Sequence, residues 1–509
     1  MNPAAVRLLL PLVACACACA CGVGPVAAKE VGGKQIDEVD RKAFAFGPMA
    51  IGPAKDLDFA RAEGLGIVPA SPLDDYLGGV LSRLVAASPV TNVPARVYVR
   101  ASNEWSAKST ADANVYVSLG ILLRLDNEDE VAALLAHELS HVILGHADSD
   151  VVQSFQQRAV QLSTLAVDAQ ASYAESRGKA ADPTRAQGAR IDDQSKALLL
   201  NTTLLSPSWT RGQERSADRL GTDLLVRAGY PPQGMVSLLQ KQQGFETERA
   251  ANPQAAELDK ELLGYDVVEE GQQRVTAATA KKGEATSELL GSLAGAVLKG
   301  AKEVMSRQLD AASRSHPKTD QRIADVNAYI AQEYGDAAAP AWQVERWEAA
   351  KEADGTVDLL ENYIASIEAQ GKLSAGDVAA ARTLAKAGLS GPARTHSYAN
   401  YVDAAVQVAG GDPAQALKDY ETALSGPEPA GTIYSGASTL LLGMGQREQA
   451  VALIEAGYTR FQEPPSLIVP LIRTYRSVGR QADADRLAGQ CGMRWPKMKP
   501  VCDQAAKEQ

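Results

Sequence analysis

Two histidines four residues apart, with a glutamate directly after the first, constrain this chain more than any other feature: Ala136-His137-Glu138-Leu139-Ser140-His141-Val142. Histidines at that spacing act together only on a helix, where one turn brings residues i and i+4 out of the same face. The surroundings agree. Asp126-Asn127-Glu128-Asp129-Glu130 stands ahead of the pair, where the positive end of a helix favours acidic side chains. Val131-Ala132-Ala133-Leu134-Leu135 then carries the helix onward. Two imidazoles so placed can share one metal ion, and Glu138 beside them can take a proton from a water molecule. The string is the His-Glu-x-x-His signature of zinc hydrolases. The bland alternative is a solvated helix that happens to carry two histidines.

A catalytic zinc takes three protein ligands and keeps its fourth position for water, so a third residue is needed. His146, nine residues past His137, falls on the opposite side of a continued helix and reads as structural. His396 falls in a later, repetitive part of the chain. A better partner lies in Gln213-Glu214-Arg215-Ser216-Ala217-Asp218-Arg219-Leu220-Gly221, on a predicted helix reaching about Arg227 and stopped by Gly229-Tyr230-Pro231-Pro232. Glu214 and Asp218 share one face there. Glu214 is the expected third ligand, and Asp218 can accept a hydrogen bond from the far nitrogen of a ligating histidine. Ala217 and Gly221 form a small-residue stripe that lets this helix approach another closely.

The length of 509 residues suits two or three domains, and the net charge of −11 without a basic patch speaks against nucleic-acid binding. Sparse aromatics (5%) and frequent Ala and Gln suit a largely helical protein. Residues 1–28 read as an export signal, with Leu8 to Ala14 as a short apolar core behind Arg7. Leu12-Val13-Ala14-Cys15 resembles a lipobox that would place a lipid on Cys15; Val26-Ala27-Ala28 resembles an ordinary cleavage site. Both readings stay open. In an exported chain Cys491 and Cys502 are expected to pair in a disulfide, two free thiols being the alternative.

Along the chain, Asp74 to Val85 predicts a helix, and Arg96–Arg100 and Asn114–Ser118 predict strands, so a small sheet precedes the histidine helix. Asn103 and Trp105 lie between the strands and either line the cleft or pack. Residues 175–195 read as a surface loop, 246–285 as a helical insertion, and Leu289 to Val304 as a packed helix, a lid or a membrane-touching helix. Gly335 to Pro340 reads as a domain boundary. Beyond it, Gly411, Gly445 and Gly479 open similar strings 34 residues apart, with a weaker copy at Gly376. That period is the one of tetratricopeptide helix pairs, which stack into a solenoid with a protein-binding groove.

The histidine motif, Glu214-Arg215-Ser216-Ala217-Asp218 with Gly221 after it, and Ser315-His316-Pro317 followed by Arg322-Ile323 resemble one family over roughly residues 60–330. It is the zinc metallopeptidase family that includes the CaaX prenyl proteases and their soluble bacterial relatives. The export signal and repeats make the chain most similar to its periplasmic branch, the beta-barrel assembly-enhancing proteases. The resemblance implies a mainly α fold: a zincin-like (gluzincin) α-helical peptidase domain with a small β-sheet over residues 29–335, then a tetratricopeptide α-solenoid over 341–509. It implies one zinc per subunit on His137, His141 and Glu214, with Glu138 as base. His316 then stabilises the oxyanion, fills the fourth zinc position at rest, or simply packs beside Pro317. The implied work is quality control of outer-membrane proteins in the periplasm, by degradation and by chaperone-like help. The implied partners are those proteins or their assembly machinery, reached through the repeats, with outer-membrane attachment if Cys15 is lipidated. Two features depart from the family pattern: a long stretch between Glu214 and His316, and the Cys-Ala repeat of the leader. A chaperone or scaffold acting through its repeats with little proteolysis is the competing reading.

Overall fold

The computed structural model describes residues 33–63, 66–148, 209–252, 318–335 and 341–507. The predicted leader with Cys15, the 175–195 loop, the Leu289 to Val304 run, His316, and most of the predicted insertion and boundary lie outside those residues. What is described is mainly helical. In chain order the elements are α1 (Lys34–Asp37), α2 (Pro53–Ala62), α3 (Ser71–Ala87), β1 (Arg96–Arg100), β2 (Ala107–Ser109), β3 (Asn114–Ser118), α4 (Leu119–Leu122) and α5 (Glu128–Ile143). Then come α6 (Arg211–Arg227), α7 (Gln233–Ala251), α8 (Thr319–Glu333) and α9 (Val344–Lys351).

The strands form one sheet in the order β1-β3-β2, with β1 parallel and β2 antiparallel to β3. Alternating residues made β1 and β3 legible. The three residues of β2, Ala-Lys-Ser, are too few and too polar to announce a strand. β3 is buried along its whole length. On one side α2 covers it, where Asp56 accepts from the Tyr116 hydroxyl and from Asn114 Nδ2, both at 2.7 Å. On the other side lies α5, which also runs beside β2.

α5 is the centre of the core. Asn127 caps it, its side chain accepting from the Glu130 amide at 2.9 Å. The acidic first turn is buried rather than solvated, and each carboxylate has partners there. Glu128 receives the Tyr76 and Tyr230 hydroxyls at 3.0 and 2.9 Å and Arg83 at 3.1 Å. Asp129 accepts from the Gln343 amide at 2.7 Å, and Glu130 from Ser237 at 2.6 Å. Val131, Leu135 and Leu139 are fully buried among α3, α6 and α7; each such side chain contributes about 2 kcal/mol. α6 comes against α5 at its small-residue stripe. A Cβ on Gly221 would stand 3.2 Å from the His137 backbone nitrogen and 2.8 Å from the Met235 methyl.

The C-terminal part is built from helix pairs: α10 (Thr356–Ser374) with α11 (Val378–Gly388), α12 (Ser397–Ala409) with α13 (Pro413–Ser425), α14 (Gly431–Gly443) with α15 (Arg447–Arg460), and α16 (Pro465–Ser477) with α17 (Gln481–Arg494). A short α18 (Lys499–Ala505) follows. The glycine period has a conformational cause. Gly376, Gly411, Gly445 and Gly479 each sit in the turn inside a pair at φ between +78° and +83°, a region that glycine enters without a Cβ penalty. The weak copy at Gly376 adopts the same turn as the clear ones. Cys491 and Cys502, both buried, are disulfide-bonded and tie α17 to α18.

Candidate metal centre

The helix beginning at Glu128 and the helix beginning at Arg211 cross where their functional residues meet. Donor atoms of His137, His141 and Glu214 all lie within 4.8 Å of one another, and all three residues are buried. His137 Nε2 faces His141 Nε2 at 3.2 Å, and Glu214 approaches each nitrogen to 3.7 Å. Two atoms bound to one zinc at about 2.1 Å and tetrahedral angles are about 3.4 Å apart, so the set has the right size for that ion. Its chemistry fits too: two imidazoles and one carboxylate converge in the protein interior.

The side chains around the ligands explain their orientation. Asp218 Oδ1 is 3.0 Å from His137 Nδ1, though off the N–H axis, which leaves Nε2 facing the cluster. Asp218 is itself held by Arg322, whose Nε and Nη2 donate to its two oxygens at 2.9 and 2.6 Å. The same guanidinium lies 3.0 Å from Glu214 Oε2. Burial would raise the Asp218 carboxyl, but Arg322 and then His137 overcome it and hold it at about 2. Burial would likewise lower His137, yet Asp218 and Glu214 lift it above the usual imidazole value. The pocket thus favours positive charge at the point where the donors meet, as a divalent cation supplies.

His141 has a different environment. The Trp209 ring stacks on it at 4.3 Å, and His146 Nδ1 lies 2.8 Å from its Nδ1. The expectation that His146 points away on a continued helix is corrected here. α5 ends at Ile143, and Gly145, at φ +65°, turns the chain so that a 3₁₀ turn (His146–Asp148) folds back beneath His141. Burial and the neighbouring His137 charge push His141 well below its ordinary value.

Glu138 is 5% exposed, and its Oε2 has no hydrogen-bond partner among the described residues. Burial raises its carboxyl, against the opposing effect of His137 and of the Ser109 hydroxyl on β2. A carboxylate with one free oxygen, raised by burial and set beside a metal-sized cluster, is suited to general-base work.

The profile of peptidase family M48 matches residues 73–330. The chain belongs to peptidase family M48. That match spans both histidines, Glu214 and Arg322. The chain is 29% identical over 174 residues to a beta-barrel assembly-enhancing protease of Yersinia pestis, covering 33% of this chain and 32% of that protein. It is 27% identical over 169 residues to the protein of the same name from Escherichia coli (strain K12), again covering 33% and 32%. It is also 27% identical over 175 residues to the mitochondrial metalloendopeptidase OMA1 of Schizosaccharomyces pombe, covering 34% of this chain and 45% of that one. The chain therefore spans about a third of the length of the first two relatives.

In this M48 peptidase the structure brings together His137, Glu138, His141, Glu214 and Asp218, the sequence candidates that it describes. Trp105 instead packs toward Phe245 on α7, with ring centroids 6.0 Å apart, and Asn103 is exposed. Three contributors carried no assigned role in the sequence. Arg322 was visible only as part of a motif. His146 was set aside on helical geometry that Gly145 breaks. Trp209 precedes a helix and gives no signal of its own.

Proposed function

We propose that this protein is a zinc-dependent metalloendopeptidase of the bacterial periplasm that degrades misassembled outer-membrane proteins and assists β-barrel assembly. The observation that carries the enzymatic part is the convergence of His137, His141 and Glu214 beside the unpartnered Glu138 oxygen. When bound there, zinc supplies Lewis acidity toward the scissile carbonyl and acidifies water. The chain's own residues do the rest. Asp218 fixes the His137 tautomer, and Arg322 fixes both Asp218 and Glu214. Glu138 removes a proton from the attacking water and returns it to the departing amine.

β2 is hydrogen-bonded to β3 alone among the described strands, and Ser109 on it stands beside Glu138. An extended peptide adding to this edge would run past the general base, held by backbone hydrogen bonds that ignore sequence. The similarity to proteases named for beta-barrel assembly supports the client class, and the leader supports export. The glycine-punctuated helix pairs support a tetratricopeptide solenoid that holds protein clients.

The test is casein and peptide hydrolysis by the full-length protein, with and without chelator, alongside metal analysis. About one zinc per chain is expected, lost in His137→Ala. Glu138→Gln should keep the zinc and lose at least about a hundredfold in rate. Full hydrolysis by Glu138→Gln would refute the mechanism, and a wild type with no chelator-sensitive hydrolysis would favour a scaffold acting through its repeats.

A further inference from the structure

The two histidines of the metal centre are not held alike. His137 leans on a carboxylate, Asp218; His141 leans on a second imidazole. We infer that His146 is a positioning residue for the metal centre, one that accepts the Nδ1 proton of His141 and ties that ring to the helix carrying Glu214. The inference rests on the metal reading of the cluster given above.

Proton bookkeeping allows one arrangement. His141 Nε2 faces His137 Nε2 and Glu214, so as a ligand it keeps its lone pair there and its proton on Nδ1. That proton points to His146 Nδ1, 2.8 Å away, which must then be the bare nitrogen. The proton of His146 is left on Nε2, which faces the Ser216 hydroxyl at 3.5 Å. Ser216 in turn donates to the carbonyls of Gly212 or Gln213, each 3.0 Å away. Every group in the chain has a proton to give and an acceptor for it, and no two protons collide. The chain ends in the first turn of α6, where Glu214 stands. It therefore joins a ligand on one helix to the helix of another ligand.

A hydrogen bond at Nδ1 leaves the tilt of the ring undetermined. Trp209 supplies that constraint by stacking on the face of His141 with only 20° between planes. Trp209 is buried and packs with Ala147, next to His146. The turn created at Gly145 thus supplies one restraint, His146, and through Ala147 backs the other, Trp209.

The experiment uses the full-length protein as wild type, His146→Ala and His146→Asn, since an asparagine Oδ1 can take the place of the accepting nitrogen. Zinc affinity is measured by competition with a chelator, and the cobalt-substituted visible spectrum and the melting point of the metal-free protein are recorded. His146→Ala should bind zinc about 10- to 100-fold more weakly and shift the cobalt bands, the scale of losing a partner to a ligand. His146→Asn should recover most of the affinity, and all three metal-free proteins should melt together. Should His146→Ala match wild type in affinity, or should His146→Asn be no better than His146→Ala, the inference is overturned. With five histidines in the chain, ¹⁵N imidazole spectra of the zinc-loaded wild type give a check that needs no variant. His146 must appear protonated on Nε2 and His141 on Nδ1; the reverse tautomers overturn the inference. A wild-type protein that binds no zinc overturns the metal reading itself, which a normal wild type with an unaffected His146→Ala does not.

Discussion

Arg322→Met removes the cation that, among the described residues, braces both acidic residues of the site. Its guanidinium meets the two Asp218 oxygens at 2.6 and 2.9 Å and Glu214 at 3.0 Å, and all three side chains are nearly sealed from solvent. Breaking a buried ion pair from one side costs about 3–5 kcal/mol. Part of that sum can be worked from Asp218, held at about 2 against an ordinary 3.8. At about 1.4 kcal/mol per pKa unit this net shift, to which Arg322 and then His137 both contribute, is on the order of 2 kcal/mol. The folded value lies below the unfolded one, so the contribution is complete above roughly pH 5 and fades as pH falls through about 2. Without Arg322 only His137 is left to oppose burial, so the Asp218 carboxyl rises from its depressed value, and the variant regains relative stability as Asp218 takes up a proton. Urea unfolding of the metal-free proteins, followed by tryptophan fluorescence, should show a gap of about 3–5 kcal/mol at pH 7. The gap should narrow as the pH falls from 7 toward 4 and below. A gap under about 1 kcal/mol at pH 7, or one indifferent to pH, would refute the idea that Arg322 is the electrostatic keystone of the site.

Gly221→Val should push α6 off the α5 backbone, costing about 1–3 kcal/mol and loosening zinc, while Gly221→Ala should do less; zinc competition and thermal melts measure both. Mass spectrometry of the mature protein from envelope fractions should find a start at Lys29 or a lipid-modified Cys15, and a chain retaining Met1 would refute export processing. A protein truncated after Lys351 loses the packing at Arg61 and Gly431, so its peptide cleavage should fall along with its cleavage of protein clients, and the ratio of the two rates should shift against protein clients. A ratio unchanged from the full-length protein would refute the recruitment role proposed for the repeats.

The parts of this protein that sequence made legible are those where one local rule dominates. The i, i+4 histidine pair requires a helix, and that helix runs from Glu128 to Ile143. The repeat glycines require left-handed turns, and all four have them. What stayed hidden depended on long-range placement or on a broken period. β2 exists because β3 offers it an edge. His146 is nine residues from His137, and its position depends on Gly145 ending the helix between them. Arg322 stands 104 residues from Asp218 in sequence and gains its role only when α8 packs on α6 and α7. The burial of Glu128, Asp129 and Glu130 was likewise invisible. An acidic first turn reads as solvated until the tyrosines, Arg83 and the Gln343 amide that receive it are in place.

That buried acidic turn has a consequence for how the repeats relate to the site. Gln343 exchanges backbone contacts with the first turn of α5: its amide donates to Asp129, and its carbonyl accepts from the Glu128 amide at 3.0 Å. Four residues on, Trp347 is 1% exposed and donates to the Leu125 carbonyl at 2.8 Å. The chain leading into the repeats therefore completes the N-terminal cap of the helix whose far end carries His137 and His141. A second fastening lies at α2, where Arg61 grips Glu428 with two nitrogens at 2.6 and 2.8 Å. There Gly431 comes so near Ala62 that a Cβ would stand 2.5 Å from its carbonyl oxygen. One apolar cluster takes in Ile36 near the start of the described residues, the helices around the metal centre, and the helix pairs as far as Leu440. These contacts are packed and largely buried, unlike the small polar interface of two domains that move independently. Under the proposed function, a client bound to the repeats is held in a fixed frame beside the ligand helix. The effective concentration of its cleavable segment is then set by the length and looseness of the client's own chain, which would favour clients that are already unfolded.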